Sequence, residues 1–530
     1  MYNVTAVLLD TVSIQRYVFS SNELKINIGA SYIVSNIYKK YLEEALKEQF
    51  STDINLKLWK EKPEEVLIKN EGVDFEIGYI GGGNAFLLFK RRDLAEGFVR
   101  SWTKLLLRDN LGISTAVAIV EDFDLDDVQK SMDKLFCKMS ENKSLYFPNV
   151  TFSKYGITED CPYTGLTAEI YDEDEGRYIS SVAYKKLKYA DEAQEYIKKC
   201  YKEALGENFI FTRDVEKLGQ QKNDNNHIAI IHIDGNSMGQ KFRETKDLVK
   251  LRKLSIEVDS VVKKSITALF KEARLIAQKL VETPESNIKI GRENGKFILP
   301  IRPLLIEGDD ITLISEGRLG IFFAKRLLEI LSSNNICGEP MTACAGVAII
   351  KTKYPFYRGY TLAEELCKNA KKKAREYGGT SWLDFFIAYS GISGSLSDIR
   401  ERQYKRKDWK LNFGPYLVAY NGRVPSSIRE KEIKHLINGV KHFKKWPRSI
   451  VKEFQTKLAT DKEAVEKFVK RDMKIKGYKL FEVPGNSYDT SGIANDVTPY
   501  FDMIELMEYY PDELFDLDEV VKEGNEDEVV

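Results

Sequence analysis

Short apolar runs alternate with segments of helical periodicity along the first part of the chain. The run at residues 4–12 (VTAVLLDTV) is typical of a buried strand that ends at Asp10. From about Ala30 to Gln49, apolar residues recur at the spacing of a helix. Two further runs within 75–89 surround Gly81-Gly82-Gly83-Asn84 and predict a hairpin. The pattern then predicts a helix at 94–107 and a strand at 113–120.

This order of strand, helices, hairpin, helix and strand predicts an α+β fold of the ferredoxin-like palm type, with helices packed on one face of an antiparallel sheet. The same order returns later in the chain. Its predicted elements are a strand at 228–233 that ends at Asp234, a turn at 235–239 into a helix start, a long helix at 254–281, a hairpin at 297–314, a helix at 318–332, a strand at 343–350 and a helix at 361–377.

The two series form an internal repeat at a nearly constant offset. Three landmarks recur in the same order, which favours two copies of one fold over chance. They are Asp10 and Asp234, 224 residues apart, Gly81 and Glu307, 226 apart, and the triplets at 117–119 and 347–349, 230 apart.

The remaining segments are less regular. Residues 121–222 contain Cys161-Pro162-Tyr163-Thr164-Gly165, an acidic run at 172–175 and a helical piece near 190–204. After about residue 395 the chain becomes helical and basic, which suits a solvated helix face or a surface for RNA or a partner subunit. The expected domains are therefore a first palm at 1–130, an insert or linker at 131–222, a second palm at 223–395 and an α-helical C-terminal domain with an acidic tail at 396–530.

Composition narrows the function classes. The 80 basic and 81 acidic residues give a net charge of −1, so a protein that coats polyanions over its whole surface is not expected. No run reaches the roughly 18 apolar residues of a membrane span, and we expect a cytoplasmic protein without membrane contact. Six scattered cysteines with no Cys-x-x-Cys pattern indicate free thiols in a reducing compartment.

The candidate chemistry lies in the second copy, at the hairpin turn Glu307-Gly308-Asp309-Asp310. Adjacent carboxylates repel and give a hairpin no stability, but a divalent cation removes that penalty. In this fold the strand that ends at Asp234 neighbours the hairpin, so the carboxylates of Asp234, Asp309 and Asp310 converge. Such a set can hold two Mg²⁺ ions, which clamp a triphosphate and activate a 3′-hydroxyl.

A phosphate cradle is predicted beside these carboxylates. The backbone N–H groups of Asn236, Ser237, Met238 and Gly239 lie at a helix start, and Gly235 and Gly239 allow a close approach of the backbone. A cation from a later helix would complete the clamp. The sequence Asn369-Ala370-Lys371-Lys372-Lys373 supplies candidates, of which Lys371 is our choice.

On these motifs the chain resembles the large polymerase/cyclase subunit of type III CRISPR effector complexes, whose two palms are related to GGDEF cyclases. The resemblance covers about residues 1–420. The similar stretches are DTVSIQRYVFSSNELKINIGASYIV (10–34), GYIGGGNAFLLF (78–89), HIDGNSMGQKF (232–242), LPIRPLLIEGDDITLI (299–314), ACAGVAIIKTKYPFYRGYTLAEELCKNAKKKAR (343–375) and the later segment with Arg400 and Phe413-Gly414-Pro415-Tyr416.

The resemblance implies that ATP is joined 3′–5′ into cyclic oligoadenylate, with Mg²⁺ or Mn²⁺, at a site between the palms. Asp234, Asp309 and Asp310 would be catalytic metal ligands, and Lys371, Gly308 and residues 235–239 would bind nucleotide. The first palm, with Gly82, Gly83 and Asn84 at the place of the acidic turn, would bind a second nucleotide or shape the site without catalysis. Implied partners are the small subunit, the RNA-binding backbone subunit and, indirectly, guide and target RNA.

The chain departs from the family pattern in three ways. Glu307 stands where the family's Gly-Gly-Asp-Asp turn has its first glycine, and an extra carboxylate there could alter metal or nucleotide preference. The chain starts directly at the first palm, so no HD nuclease activity is expected. The zinc-ribbon-like insert is degraded because Thr164 replaces a second cysteine in CPYTG, and zinc is not expected.

Two other functions remain open from the residues. A catalytically silent scaffold subunit of an RNA-binding complex would fit Glu307 and the lost zinc insert, although the complete set of Asp234, Asp309, Asp310 and Lys371 argues against it. Another palm enzyme, a diguanylate cyclase or a templated polymerase, fits less well. The former normally has one palm and homodimerises, and the latter needs fingers and a long groove. A stand-alone relative in another defence system would share the same motifs.

Overall fold

The computed structural model describes residues 3–50, 55–109, 111–145, 157–218, 226–283, 285–389 and 394–515. Part of the predicted acidic tail, residues 516–530, lies outside the described residues. Within the described ranges, no helix has the length and apolar character needed to cross a membrane. The fold is a mixed α+β arrangement with two large sheets.

The first unit contains a four-stranded antiparallel sheet in the order β2-β3-β1-β4. Its apolar runs form the buried strands: residues 4–9 and 85–89 are buried without alternation, so both faces of these two strands are covered. The strands are β1 (Asn3–Thr11), β2 (Phe75–Gly81), β3 (Asn84–Phe89) and β4 (Thr115–Asp124). The helices are α1 (Ile14–Val18), α2 (Leu24–Asn36), α3 (Leu42–Phe50), α4 (Leu58–Glu61), α5 (Arg92–Arg108) and α6 (Val128–Ser144), with a 3₁₀ turn at Leu67–Lys69.

Two features of the first unit differ from the sequence expectation. The single helix predicted from Ala30 to Gln49 is two α-helices joined by a π-helical turn at Ile37–Tyr41. The period of apolar residues hardly changes across one π turn, so the sequence pattern does not reveal it. Helix α6 packs against β4 and β1, so this unit continues beyond the predicted boundary at residue 130.

The middle segment packs on the first unit. Its helix α7 (Ser181–Cys200) lies along α2, and a Cβ at Gly29 would lie only 1.7 Å from the carbonyl oxygen of Lys186. This is a longer helix than the piece predicted near 190–204. The other elements are β5 (Ile170–Asp172), β6 (Arg177–Ile179), α8 (Lys202–Leu205), a 3₁₀ turn at Val215–Lys217 and β7 (Phe209–Ile210).

The second unit contains a six-stranded sheet in the order β11-β12-β8-β15-β16-β17. Its strands are β8 (His227–Gly235), β11 (Ile301–Glu307), β12 (Asp310–Glu316), β15 (Ala343–Lys351), β16 (Thr380–Ile387) and β17 (Tyr416–Tyr420). Its helices are α9 (Met238–Arg243), α10 (Leu248–Glu282), α11 (Gly320–Ser332), preceded by a 3₁₀ turn at Gly317–Leu319, and α12 (Phe356–Tyr377). Short strands complete the region at β9 (Arg292–Glu293), β10 (Lys296–Ile298), β13 (Asn335–Ile336) and β14 (Glu339–Pro340).

The predicted repeat is present as the same β-α-β-β-α-β order and the same relative strand positions in both sheets. The strand registers correct one landmark. Asp10 pairs with Ala116, and Asp234 pairs with Cys344, so the last strands of the two units are offset by 228 residues. The offset of 230 inferred from the matching triplets was too long by two residues, a shift that keeps every side chain on the same face of the sheet.

The second sheet also extends beyond its predicted limits. Strand β16 runs parallel to β15 and is buried along its whole length, and β17 pairs with β16 although it lies after residue 395. Neither strand was predicted. The C-terminal helices share one hydrophobic core with this sheet. They are α13 (Leu396–Gln403), α14 (Ser426–Arg429), α15 (Ile433–Phe443), α16 (Arg448–Thr460), α17 (Lys462–Lys467), a π turn at Phe468–Asp472, α18 (Met473–Lys476), α19 (Tyr488–Ser491) and α20 (Tyr500–Leu506).

A buried arginine joins the two units. Arg252, on α10, donates to the carboxylate of Glu76 at 2.7 Å and to the carbonyl oxygens of Ile77, Gly78 and Glu65. Arg252 is fully buried, and a buried guanidinium is stable only when its donors are satisfied in this way. These contacts hold the long helix of the second unit against β2, the strand that leads into the turn Gly82-Gly83.

Candidate functional site

The acidic turn is a tight hairpin connection. Glu307 ends β11 and pairs with Asp310, the first residue of β12, so Gly308 and Asp309 form a two-residue loop. Gly308 has φ 63°, a backbone conformation that glycine adopts without strain and that two-residue hairpin loops require. A Cβ at Gly308 would lie 3.1 Å from the Cα of Gly82, so the turns of the two units touch.

Asp234 lies beside this turn, as predicted. Strand β8 pairs with β12 through Ile233 and Ile311, which places Asp234 next to the start of β12. Lys371, on α12, has its ammonium 2.5 Å from Asp234 Oδ2 and donates to the carbonyl oxygen of Gly235 at 2.9 Å. A Cβ at Gly235 would lie 2.7 Å from Asp309 Oδ2, so the backbone of β8 contacts the acidic turn directly.

The closeness of Asp234 to the acidic turn is reflected in the pKa values of Asp309 and Asp310. Burial and the charge of Asp234 raise the pKa of Asp309 and that of Asp310 to about 7, and the charge of Lys371 acts in the opposite direction on both. Burial lowers the pKa of neighbouring His232 to about 4, so this ring is neutral at pH 7 and does not compensate the carboxylates. The site therefore concentrates negative charge that its own side chains leave partly unbalanced.

The donor set suits a hard cation. Asp310 Oδ1 is buried and has no hydrogen-bond partner among the residues that the structure describes, while Gln15 of the first unit donates to its other oxygen, Oδ2, at 2.9 Å. Carboxylate oxygens are the ligands that Mg²⁺ and Mn²⁺ prefer. Across the described ranges, no three His, Cys, Asp or Glu side chains form a ready metal-binding cluster. Because Lys371 contacts Asp234, the carboxylates would hold a metal ion only after this ammonium moves.

Part of the predicted phosphate-binding turn already makes hydrogen bonds within the chain. The N–H of Asn236 donates to the carbonyl oxygen of Thr342, and its side chain donates to that of Thr380. This leaves the N–H groups of Ser237, Met238 and Gly239 as the candidates for phosphate oxygens. Ser237 has φ 58° and turns the chain into α9, which has only six residues.

The first unit repeats several of these features. Lys143, on α6, has its ammonium 2.8 Å from Asp10 Oδ1, and its position is 228 residues before Lys371. Ser13 has φ 55° before α1 and matches Ser237. Asn84 pairs with Asp10 across the strands and takes the place of Asp310. The carboxylates of Asp309 and Asp310 have no counterpart there, because Gly83 and Asn84 stand at the equivalent positions.

A cavity of about 1350 Å³ lies between the two units. It is lined by the first unit's turn and by Asp10 and Lys143. From the second unit it is lined by Met238, Gly239, Glu307, Gly308 and Asp309. The lining does not include Asp234, Gly235, Asn236, Ser237, Asp310 or Lys371. The acidic turn thus forms the boundary between the cavity and the carboxylate cluster.

Several residues at this site were not predicted as functional. Lys143 could have been found from the sequence, because its offset from Lys371 lies within the range of the repeat. Gln15 and Ser35 could not, because they reach Asp310 and Glu307 across 295 and 272 residues. The sequence singles out Glu307 in the turn, but its contact with Ser35 depends on how the units pack.

The predicted zinc position has no cysteine partner in the described structure. Cys161 is buried, and the hydroxyl of Thr164 lies 2.9 Å from the hydroxyl of Ser180. Within the described residues the contacts around Thr164 are therefore those of ordinary polar packing.

No protein-family model matches the chain, and no curated protein matches it either. Solved structures do match. The crystal structure of Csm1 in T. onnurineus is 13% identical with a TM-score of 0.51, over 96% of this chain and 70% of that chain. The chain has the fold of Csm1. At 13% identity this similarity to Csm1 shows the fold alone. As far as the fold is concerned, it confirms the predicted resemblance to the type III large subunit.

Two solved assemblies that contain Csm1 also match this chain over a similar share of its length. The Csm1-Csm4 subcomplex of the type III-A CRISPR-Csm interference complex is 12% identical, with a TM-score of 0.45 over 96% of this chain and 70% of that chain. The Csm1-Csm4 cassette in complex with cA4 is 11% identical, with a TM-score of 0.44 over the same shares.

Proposed function

We propose that this chain is a nucleotidyltransferase of the type III CRISPR large-subunit kind, which joins ATP 3′–5′ into cyclic oligoadenylate. One observation carries the proposal: Asp234, at the end of β8, lies beside the turn that carries Asp309 and Asp310, and burial together with the charge of Asp234 raises the pKa of Asp309 and that of Asp310 to about 7. Repulsion between buried carboxylates destabilises a fold, whereas a metal-dependent phosphoryl-transfer site needs carboxylates close together to hold its cations.

In this proposal Asp234, Asp309 and Asp310 would hold Mg²⁺ or Mn²⁺, which would neutralise charge on the triphosphate and lower the pKa of the attacking 3′-hydroxyl. Lys371 leaves Asp234 and contacts a phosphate oxygen of the bound nucleotide. The N–H groups of Ser237–Gly239 orient the triphosphate.

The two units have unequal roles. Residues 223–395 would be the catalytic palm, and residues 1–130 a non-catalytic palm. The first unit, with Asp10, Lys143 and Gly82-Gly83-Asn84, would place a second nucleotide across the shared cavity, whose 1350 Å³ exceeds the roughly 300–1,000 Å³ of a usual small-ligand pocket. The 3′-hydroxyl of one nucleotide would then face the α-phosphate of the other.

The proposed setting is a type III effector complex in the cytoplasm. The partners would be the small subunit and the RNA-binding backbone subunit, with guide and target RNA acting indirectly. The motif resemblance and the shared fold support this setting. The insert at 131–222 and the helical segment at 396–530 would supply further surface for contacts with these partners.

The test is a product assay. The purified chain, with and without partner subunits and target RNA, is incubated with Mg²⁺ or Mn²⁺ and each NTP, and products are resolved by chromatography and mass spectrometry. We expect cyclic adenylates from the wild type, at least about a hundredfold less from Asp309→Ala/Asp310→Ala, and wild-type yield from the surface variant Asp408→Ala. Equal activity of the double variant and the wild type contradicts the site assignment.

A silent scaffold subunit is the second candidate. The observation that favours it is the position of Lys371, whose ammonium already balances Asp234, together with the extra carboxyl of Glu307 in the turn. If no combination of metal, partner and RNA leads to nucleotide consumption, the scaffold function stands and the enzyme proposal fails.

A further inference from the structure

Glu307 places a carboxyl group where the first unit has no side chain. In the strand registers, Gly81 pairs with Asn84 and Glu307 pairs with Asp310, so Gly81 and Glu307 are equivalent positions of the repeat. Glu307 lines the cavity between the units. The turn itself does not need this residue, because the first unit builds the same hairpin with glycine. The carboxyl group is therefore an addition specific to this wall of the cavity.

The carboxyl group is held in one orientation. The hydroxyl of Ser35, on α2, donates to Glu307 Oε1 at 2.6 Å. The second oxygen, Oε2, accepts no hydrogen bond from any side chain or backbone group in the described part of the chain. A carboxylate with one oxygen fixed and one available is a positioned acceptor for a ligand's N–H group.

The surroundings of Glu307 suit a planar ring. Tyr196, on α7, lines the same cavity and is 44% exposed, and it lies near enough to Glu307 to experience its charge. The Lys39 ammonium lies 5.6 Å from the centroid of the Tyr196 ring. An exposed aromatic face beside a fixed acceptor is a typical nucleobase subsite.

We propose that Glu307, oriented by Ser35, selects the base of a nucleotide bound in the cavity by accepting a hydrogen bond from its exocyclic amino group, while the base stacks on Tyr196. The inference rests on the proposed nucleotidyltransferase function. Adenine presents its N6 amino group to such an acceptor. Uracil presents an imino group flanked by two carbonyl oxygens, and hypoxanthine presents a carbonyl oxygen in place of the amino group, so the carboxylate repels both.

The test isolates the amino group. Binding of two α,β-methylene triphosphates, one with adenine and one with unsubstituted purine, is measured by calorimetry in the presence of Mg²⁺. The methylene bridge prevents transfer, and the two bases differ only in the amino group. We expect the wild type to prefer adenine by about tenfold, and Glu307→Gly to lose this preference. Glycine at 307 reproduces Gly81 of the first unit, so the hairpin is expected to fold.

Each outcome bears on the proposal. The exposed-surface variant Glu203→Gln, on α8, serves as control and keeps the wild-type preference. An unchanged adenine preference in Glu307→Gly overturns the assignment, as does a wild type that binds both analogues equally. A drop in Mn²⁺ affinity in Glu307→Gly, measured without nucleotide, shows a metal ligand instead and also overturns it. If the wild type binds no nucleotide, the proposed nucleotidyltransferase function is wrong, and the inference that depends on it is wrong as well.

Discussion

Lys143 contacts Asp10 in the first unit as Lys371 contacts Asp234 in the second. The two ammonium–carboxylate distances are 2.8 and 2.5 Å, and both lysines lie on the helix that follows the last strand of the repeat. The duplicated fold has therefore kept its strand-end aspartate and its helical lysine in both copies. The two copies differ in the hairpin turn, where the first has Gly83 and Asn84 at the positions of Asp309 and Asp310.

The two lysines are expected to differ in function because only one lies beside the acidic turn. Lys371→Ala should lower turnover at saturating ATP by about a hundredfold, since in the proposed function this ammonium contacts a phosphate of the bound nucleotide. Lys143→Ala should leave that turnover within about threefold and weaken binding of a second nucleotide by about tenfold. Steady-state kinetics and binding stoichiometry with a non-reactive analogue separate the two effects. Equal loss of turnover in both variants contradicts the unequal roles.

The close contact between β8 and the acidic turn gives a second prediction. In Gly235→Ala the new Cβ would lie 2.7 Å from Asp309 Oδ2 and 2.9 Å from Met238 Cγ, so the turn must shift. We expect Mn²⁺ affinity to fall by about tenfold or more, because metal sites tolerate little displacement of their ligands. Gly239→Ala is the matched comparison, because a Cβ at Gly239 meets no atom within 4 Å. Titration of Mn²⁺ without nucleotide measures both, and similar affinities would refute the prediction.

Arg252 is expected to dominate the stability of the contact between the units. Arg252→Ala leaves Glu76 buried and removes donors to three carbonyl groups, and such losses typically cost about 3–5 kcal/mol. The neighbouring Lys253 forms an exposed pair with Glu64, so Lys253→Ala should cost no more than about 0.5 kcal/mol. Urea denaturation of both variants measures the difference. A small effect at Arg252 would mean that the two units are held together by other contacts.

Glu505 makes stability depend on pH. Burial and the charge of Asp502 raise the pKa of Glu505 to about 8, while hydrogen bonds from Tyr404 act in the opposite direction. The unfolded chain releases this proton near pH 4.5, so the folded state binds more protons between pH 4.5 and 8. Stability from this group is therefore complete below pH 4.5 and is lost as the pH rises to about 8.

Glu505→Gln removes that titration. We expect the unfolding midpoint of the variant to match the wild type near pH 5 and to exceed it by about 3–10 °C at pH 8–9. Differential scanning calorimetry across this range provides the measurement, with Glu508→Gln as a comparison at a neighbouring surface position. A difference between Glu505→Gln and wild type that stays constant with pH contradicts the pKa assignment.

Local patterns determined much of the candidate site. A strand ending at Asp234, the hairpin turn around Gly308, and a helix carrying Lys371 each follow from apolar periodicity and turn chemistry within about twenty residues. The repeat added the equivalence of Gly81–Asn84 and Glu307–Asp310. These features depend on neighbours in the sequence, and for that reason a single sequence was sufficient to predict them.

Other features were decided only by tertiary structure. The hydrogen bonds from Gln15 to Asp310 and from Ser35 to Glu307, and the satisfied donors of Arg252, join residues more than 170 positions apart. Strands β16 and β17 extend the sheet beyond β15 through backbone pairing that any strand-forming segment can supply. Such contacts depend on how segments that are distant in the sequence pack against each other. The sequence alone therefore determined which residues could hold a metal and a triphosphate, and the packing of the two units decided which side chains of the first reach them.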